Sequence, residues 1–261
     1  MIESKWLQKW GSVVITCAGL TAAGHAGAID SQPTGIDPQV QRILRRSTDF
    51  LAAQTRFSAD TRSTIEVVLT SGQKLQFSNR VTMSVKRPDK LWARRYGDYI
   101  DQVFYYDGQT LTLHNPAQKV YASVAVPASI EGMLDFARTK LDIIAPLGDF
   151  LYSNAYDILT DGVTSAFLVG RSYVEGVRCV HLAFRAPQAD WQIWIEDGER
   201  PLPRKVVITT RDIVNAPQFD VTVTRWDLSP RSDDRRFAFR PQAGDSSTEF
   251  LPPAVSSPTG K

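Results

Sequence analysis

The chain has 261 residues, 43% of them hydrophobic and 22% charged, with a formal net charge of +2 at pH 7. A nearly neutral chain has no electrostatic drive toward nucleic acid or an anionic surface, so nucleic-acid binding is set aside. A chain of this size can bury a sizeable core, and with only Cys17 and Cys179 it must rely on one.

Residues 1–28 have the order of an export signal. Lys5 and Lys9 come first, then an apolar run from Trp10 to Gly24, then Ala26-Gly27-Ala28, with cleavage expected near Ala28. The apolar run is short for a membrane span of about 20 residues and is diluted by Gly and Thr. No stable span is therefore expected after cleavage, and the expected location is the periplasm. A lipoprotein anchor at Cys17 is disfavoured. Thr16 is a poor residue before a lipidated cysteine, and cutting there would leave the apolar run half complete. Cleavage leaves Cys179 alone, so no intramolecular disulfide can form. Residues 29–245 read as one domain, and the Ser-, Pro- and Thr-rich residues 246–261 as a disordered tail.

Asp37-Pro38 opens a helix, Asp as the cap and Pro in the first turn. Val40, Ile43, Leu44, Phe50 and Leu51 then recur on one face of a helix ending near Gln54. From residue 61 the period is two: Ile65, Val67 and Leu69 lead to Ser71-Gly72, and Leu75, Phe77, Val81, Met83 and Val85 return as far as Arg87-Pro88-Asp89. KLWARRYG, YIDQVFYYDG, QTLTLHN and KVYASV follow as further short strands, an antiparallel meander. Pro127 ends that run. Ile130, Met133, Leu134, Ala137 and Leu141 form an apolar helical stripe, and Ile143, Ile144, Leu147, Phe150 and Leu151 continue it past a break at Pro146. Strands resume near Val163 with TSAFLVGRSYV, VRCVHLAFR and the hairpin WQIWIEDGERPLPRKVVITT, and QFDVTVTRWDL is the last long one. RFAFRPQ adds an edge piece ended by Pro241.

Catalytic signatures are missing. His114 and His181 lie mid-strand, away from any metal-ligand spacing, and read as structural. There is no nucleophile elbow, phosphate loop or dinucleotide fingerprint. Glu196, Asp197, Asp157 and Asp161 sit in turns or at strand ends, where acids are solvated, and Cys179 reads as a small buried hydrophobe. No cofactor or metal is expected, and the chain reads as a non-enzyme.

The strands raise a different question. In the hairpin, Trp191, Ile193 and Ile195 point one way and Trp194 the other; Val103 and Tyr105 alternate with Phe104 and Tyr106; Trp92 and Tyr96 alternate with Leu91 and Ala93. A half-wetted sheet should not be apolar on both faces. Either helices cover part of one face and aromatic residues scatter over the other, or a curved sheet and its helices enclose an apolar space, with 37–54 and 128–151 as the lid.

The segments FYYDGQTLTLHNPAQKVYASV, IEGMLDFARTKL, APLGDFL, WQIWIEDGERPLPRKVVI and FAFRPQAG, in this order over about residues 36–245, resemble a family of predicted periplasmic proteins within the LolA/LolB lipoprotein-localisation superfamily. The most specific blocks are Tyr106-Asp107-Gly108 and Trp194 with Pro201 and Pro203. The resemblance implies a mainly β fold with helices (α+β): a curved antiparallel sheet or half-open β-barrel closed by a helical lid, around a cavity for acyl chains. No functional residue of that superfamily is carried onto this chain.

The expected function is therefore a periplasmic carrier that binds a lipid or lipoprotein acyl chain without covalent chemistry, its partners being a lipid or an acylated protein. The expected cavity residues come from alternation alone: Phe77, Met83, Trp92, Phe104, Tyr106, Met133, Leu134, Phe136, Leu147, Trp191 and Trp194. Core packing would use the same residues. Two alternatives stay open: an interaction or sensor module with a dry core and an envelope protein partner, and an envelope hydrolase using the turn carboxylates.

Overall fold

The structure is a computed structural model and describes residues 35–143, 145, 147–231 and 233–250. The expected signal peptide with Cys17 and the Ala28 cleavage point, the expected break at Pro146, and residues 251–261 lie outside the described residues.

The strands are β1 (Gly35–Ile36), β2 (Arg56–Val68), β3 (Lys74–Lys86), β4 (Lys90–Gly97), β5 (Ile100–Tyr106), β6 (Thr110–Asn115), β7 (Val120–Ala125), β8 (Ser165–Val174), β9 (Val177–Arg185), β10 (Ala189–Glu196), β11 (Pro203–Thr210), β12 (Gln218–Asp227) and β13 (Ser246–Thr248). The helices are α1 (Pro38–Ala52), α2 (Ile130–Lys140) and α3 (Ala155–Thr160). The mainly β, antiparallel architecture with few helices is the one the alternation implies. The hydrogen-bonded strand order begins at β1 and ends at β13 without closing on itself.

Contacts divide the chain into two compact units, where the sequence reads as one domain. The first comprises the chain up to Phe50 with Arg62–Ser78 and Tyr156–Thr224; the second comprises Leu51–Thr61, Asn79–Ala155 and the chain from Arg225 on. No linker marks the division because α1, β2, β3 and β12 each run from one unit into the other.

In the first unit, β8 to β12 form an antiparallel ladder, with β1 parallel to the free side of β8. Burial along β10 has a period of two: Trp191, Ile193 and Ile195 are buried, and Gln192, Trp194 and Glu196 half-buried. Asp37 Oδ1 accepts the Gln39 N–H at 2.6 Å, capping α1 as its sequence implies. Deeper in the helix, Ser47 Oγ donates to Pro201 O (2.6 Å) and Arg46 Nη2 to Gly198 O (2.8 Å), tying α1 to the β10–β11 turn. The other face answers the question raised by Trp194. Its indole stacks on His181 at 3.9 Å and 12°, the Lys205 ammonium lies 5.4 Å from the ring, and Gln192 Oε1 is 2.9 Å from His181 Nε2. Ion pairs Arg204–Glu196, Lys205–Asp220 and Arg185–Asp190 continue this face. It is a wetted face in which long charged side chains shield a few apolar groups.

In the second unit, β3 to β7 pair antiparallel. Residues directly opposite each other share a face, so register sorts the two sides. Leu91, Tyr106 and Leu111 are buried on one side, and the Tyr106 hydroxyl donates to Pro127 O at 2.7 Å, which places the approach to α2 on that side. Ser129 caps α2 by accepting the Gly132 N–H, and Ile130, Met133, Leu134 and Ala137 form its buried stripe. The expected continuation of that helix to 151 is instead a 3-10 turn, Gly148–Leu151, in which Phe150 and Leu151 are buried, and the short α3 follows. Leu147, with φ of 66°, makes the change of direction.

The opposite side of these strands is covered by the C-terminal segment, which the sequence had placed elsewhere. RFAFRPQ is not an edge strand. Phe237 is buried, and the Phe239 ring lies 5.3 Å from Tyr105, 5.1 Å from His114 and 4.8 Å from Tyr121. Asp245 Oδ1 then meets His114 Nε2 at 3.3 Å, and Ser246–Thr248 pairs parallel to β7, so the order expected to end at 245 continues to 248. Isolated aromatic residues in a Pro-rich stretch lack the alternation that signals a strand, so their partners are invisible to periodicity.

Candidate ligand-binding face

The register of β3 to β7 builds one apolar row, Met83, Ala93, Phe104, Leu113 and Ala122, on the side carrying Tyr106. Exposure changes across this side. Val85, Leu91, Tyr106 and Leu111, one row nearer α2, are buried; Met83, Ala93, Phe104 and Leu113 are half-buried. One row further out stand Val81, Arg95 and Gln102. Five strands at the usual spacing make the row about 19 Å long. The face thus runs from closed core, through an accessible apolar strip, to a cation.

Arg95 is half-buried and its side chain makes no hydrogen bond or ion pair with another described residue; burial holds its pKa below the ordinary arginine value. Arg87 is placed similarly at the β3–β4 turn. Its Nη1 donates to Leu151 O at 2.7 Å, while Nε and Nη2 are buried without a partner, and desolvation again lowers its pKa against the opposing influence of Glu131. Tyr106 is pushed up to about 12, first by burial and then by the negative charges of Asp89 and Asp107. It remains a neutral donor.

The expected cavity residues of the second unit do not all share one face. Met83 and Phe104 lie in the apolar row, and Tyr106 lies behind it. Met133 and Leu134 belong to the buried stripe of α2, Phe136 is half-buried on the same helix, and Leu147 is half-buried before the 3-10 turn. Trp92 faces the other way, paired with Ser84 and Tyr105, with the Arg236 guanidinium 4.1 Å from its ring. Phe77, Trp191 and Trp194 belong to the first unit, where Trp191 stacks on Phe184 at 3.8 Å and Trp194 occupies the wetted face. Alternation separates two faces but cannot match the faces of successive strands; register does that. Reading the β4–β5 and β5–β6 turns as tight hairpins would have aligned Ala93, Phe104 and Leu113 and brought Arg95 into view.

Three of the turn carboxylates are held in ion pairs. Glu196 is bound to Arg204 (2.7 Å), Asp197 to Arg171 (3.0 Å) and Arg178 (3.2 Å), and Asp157 lies 3.8 Å from Arg45. Cys179 is fully buried, and burial raises its thiol to about 11. Among the described residues no group of three or more His, Cys, Asp or Glu side chains could hold a metal ion, and no helix is long and apolar enough to cross a membrane.

These features define a mainly β, antiparallel protein whose second unit carries an accessible apolar strip. The chain belongs to the family described as Predicted periplasmic protein (DUF2092), whose model matches residues 40–251. No curated protein matches it. Similar solved structures include LprF from Mycobacterium bovis, at 17% identity and TM-score 0.48, covering 77% of this chain and 97% of that one. The Pseudomonas aeruginosa MucA/MucB complex gives 14% identity and TM-score 0.42 over 76% of this chain and 60% of that one. A LolA superfamily protein from Nitrosomonas europaea gives 11% identity and TM-score 0.36 over 76% and 97%.

Proposed function

We propose that this protein binds an acyl chain, from a lipid or a lipoprotein, non-covalently on the strip of Met83, Ala93, Phe104, Leu113 and Ala122, and carries it in the periplasm. The observation that carries this reading is the half-buried state of Met83, Ala93, Phe104 and Leu113 beside the buried Val85, Leu91, Tyr106 and Leu111. Its length of about 19 Å suits a long acyl chain laid across the strands. Each methylene removed from water contributes about 0.8 kcal/mol before ordering costs. Arg95, at the polar margin of the strip, supplies a charge for an anionic head group. Binding of this kind uses no reacting side chain.

The test is to purify the protein from the periplasm without detergent and record native mass spectra before and after organic extraction. The expected result is an added mass that leaves as lipid, together with uptake of added phospholipid or lipopeptide by the extracted protein. Phe104→Asp places a charge in the middle of the strip and should abolish uptake. A bare polypeptide mass with no uptake, or uptake unaffected by Phe104→Asp, would remove the strip as the binding face.

A further inference from the structure

A depression lies wholly in the first unit. It is a cleft of about 350 Å3 between the first half of α1 and the ends of β8 to β10. Its apolar lining is Ile43, Val180, Ile195 and Pro201; Ile195 and Val180 are buried. Three arginines, Arg42, Arg46 and Arg171, line the cleft as well.

The charges of this cleft do not cancel locally. Glu196 and Asp197 also line it, but Glu196 is held by Arg204 at 2.7 Å, and Asp197 is shared by Arg171 and Arg178. Asp37, at the head of α1, is engaged by the Gln39 N–H. Arg42 makes no ion pair among the described residues, and Arg46 donates only to the neutral carbonyl of Gly198. These two arginines are one helical turn apart, so they lie side by side. Both are exposed on α1, as its fifth and ninth residues. Two uncompensated cations in that place, over an apolar floor, suit a ligand with two negative charges and a short apolar body.

We infer that this cleft binds a phosphate monoester whose phosphate sits between Arg42 and Arg46 and whose apolar part rests on Val180, Ile195 and Pro201. A phosphate monoester carries nearly two charges at neutral pH and presents oxygen atoms that match the guanidinium fork. A carboxylate would leave one arginine unmatched. The cleft has room for about a dozen water-sized groups, which fits a phosphate and a chain of several carbons.

The probe is hexyl phosphate, titrated calorimetrically into the mature full chain at pH 8 and pH 5. Saturable binding is expected at pH 8, weaker at pH 5 because the second phosphate proton returns near pH 6. Arg42→Gln should weaken it about tenfold or more, the loss of one charge-assisted contact. Arg46→Lys, which keeps the charge but loses the fork, should weaken it less, and Arg200→Gln, at the exposed turn, should leave it unchanged. Inorganic phosphate should bind more weakly than hexyl phosphate. Vesicles with and without phosphatidic acid separate the sources: capture by phosphatidic acid that Arg42→Gln abolishes assigns a lipid head group, and no capture assigns a free organic phosphate. Absence of saturable hexyl phosphate binding at millimolar concentration, or binding that Arg42→Gln leaves intact, would overturn the inference.

Discussion

Replacing Tyr106 by Phe removes one oxygen and nothing else. The side chain is fully buried, so the ring stays in place, and the only lost contact is the 2.7 Å hydrogen bond to Pro127 O. A neutral hydrogen bond contributes about 0.5–1.5 kcal/mol net, and stranding a buried acceptor would raise the cost toward about 3 kcal/mol. Pro127 is an exposed residue, so water can take over its carbonyl, and the expected loss is about 1 kcal/mol. For a chain of this size that lowers Tm by about 2–4 °C. Tyr106→Ala, which also empties the ring's site, should cost about 3–5 kcal/mol. Urea unfolding measures both, and the slope m should not change in the Phe variant. The pH dependence is a second check. The folded-state pKa of Tyr106 is raised to about 12 from an ordinary value of 10, so the neutral phenol stabilises the fold fully below pH 10. That contribution is lost as pH rises from 10 through about 12, and the gap between wild type and Tyr106→Phe should close over the same range. A Phe variant as stable as wild type at pH 8 would refute the idea that this hydroxyl ties the entry of α2 to β5.

Two further outcomes follow from side chains the sequence reading treated as minor. Burial first, and then the Lys205 charge, hold the His181 pKa below 6.5 despite its bond to Gln192. Stability contributed by the neutral ring is therefore present above about pH 6.5 and lost as pH falls through the lower folded value. The urea midpoint of wild type should drop between pH 7.5 and pH 5.5 more than that of His181→Gln, and equal drops would show that His181 is not the titrating group. Phe239→Ala removes three ring contacts, each contributing about 0.5–1.5 kcal/mol, so a loss of about 2–4 kcal/mol is expected with faster proteolysis after Phe237. Unchanged proteolysis would mean that Phe239 does not hold the segment.

Most of the strand framework was legible because alternation and turn chemistry are local. KLWARRYG is β4 from end to end, and the faces assigned to Trp191, Ile193 and Ile195 against Trp194 agree with burial along β10. α1 begins at Pro38, as its cap implies. What was not legible depends on pairing at a distance. Trp92 and Phe104 look equivalent as large apolar residues in alternating strands, yet register sends them to opposite sides. Arg95 and Arg42 carry no sequence signal at all, since an arginine in a strand or on a helix is ordinary until its neighbours are known. The division of the chain into two units left no trace because shared strands replace a linker.

Order of synthesis gives the C-terminal segment a further meaning. β7 is complete at Ala125, but the strand that covers its edge begins only at Ser246, and the contact of His114 with Asp245 spans 131 residues. The β7 edge and the rings of Tyr105 and Tyr121 are therefore made long before the segment that covers them. An uncovered edge is a template for pairing with other chains, and closing so long a loop is slow. Covering of the β7 edge therefore waits for residues far along the chain. A chain truncated between Asp227 and Phe239 would lack the segment that covers this edge and these rings, leaving them open to pairing with other chains.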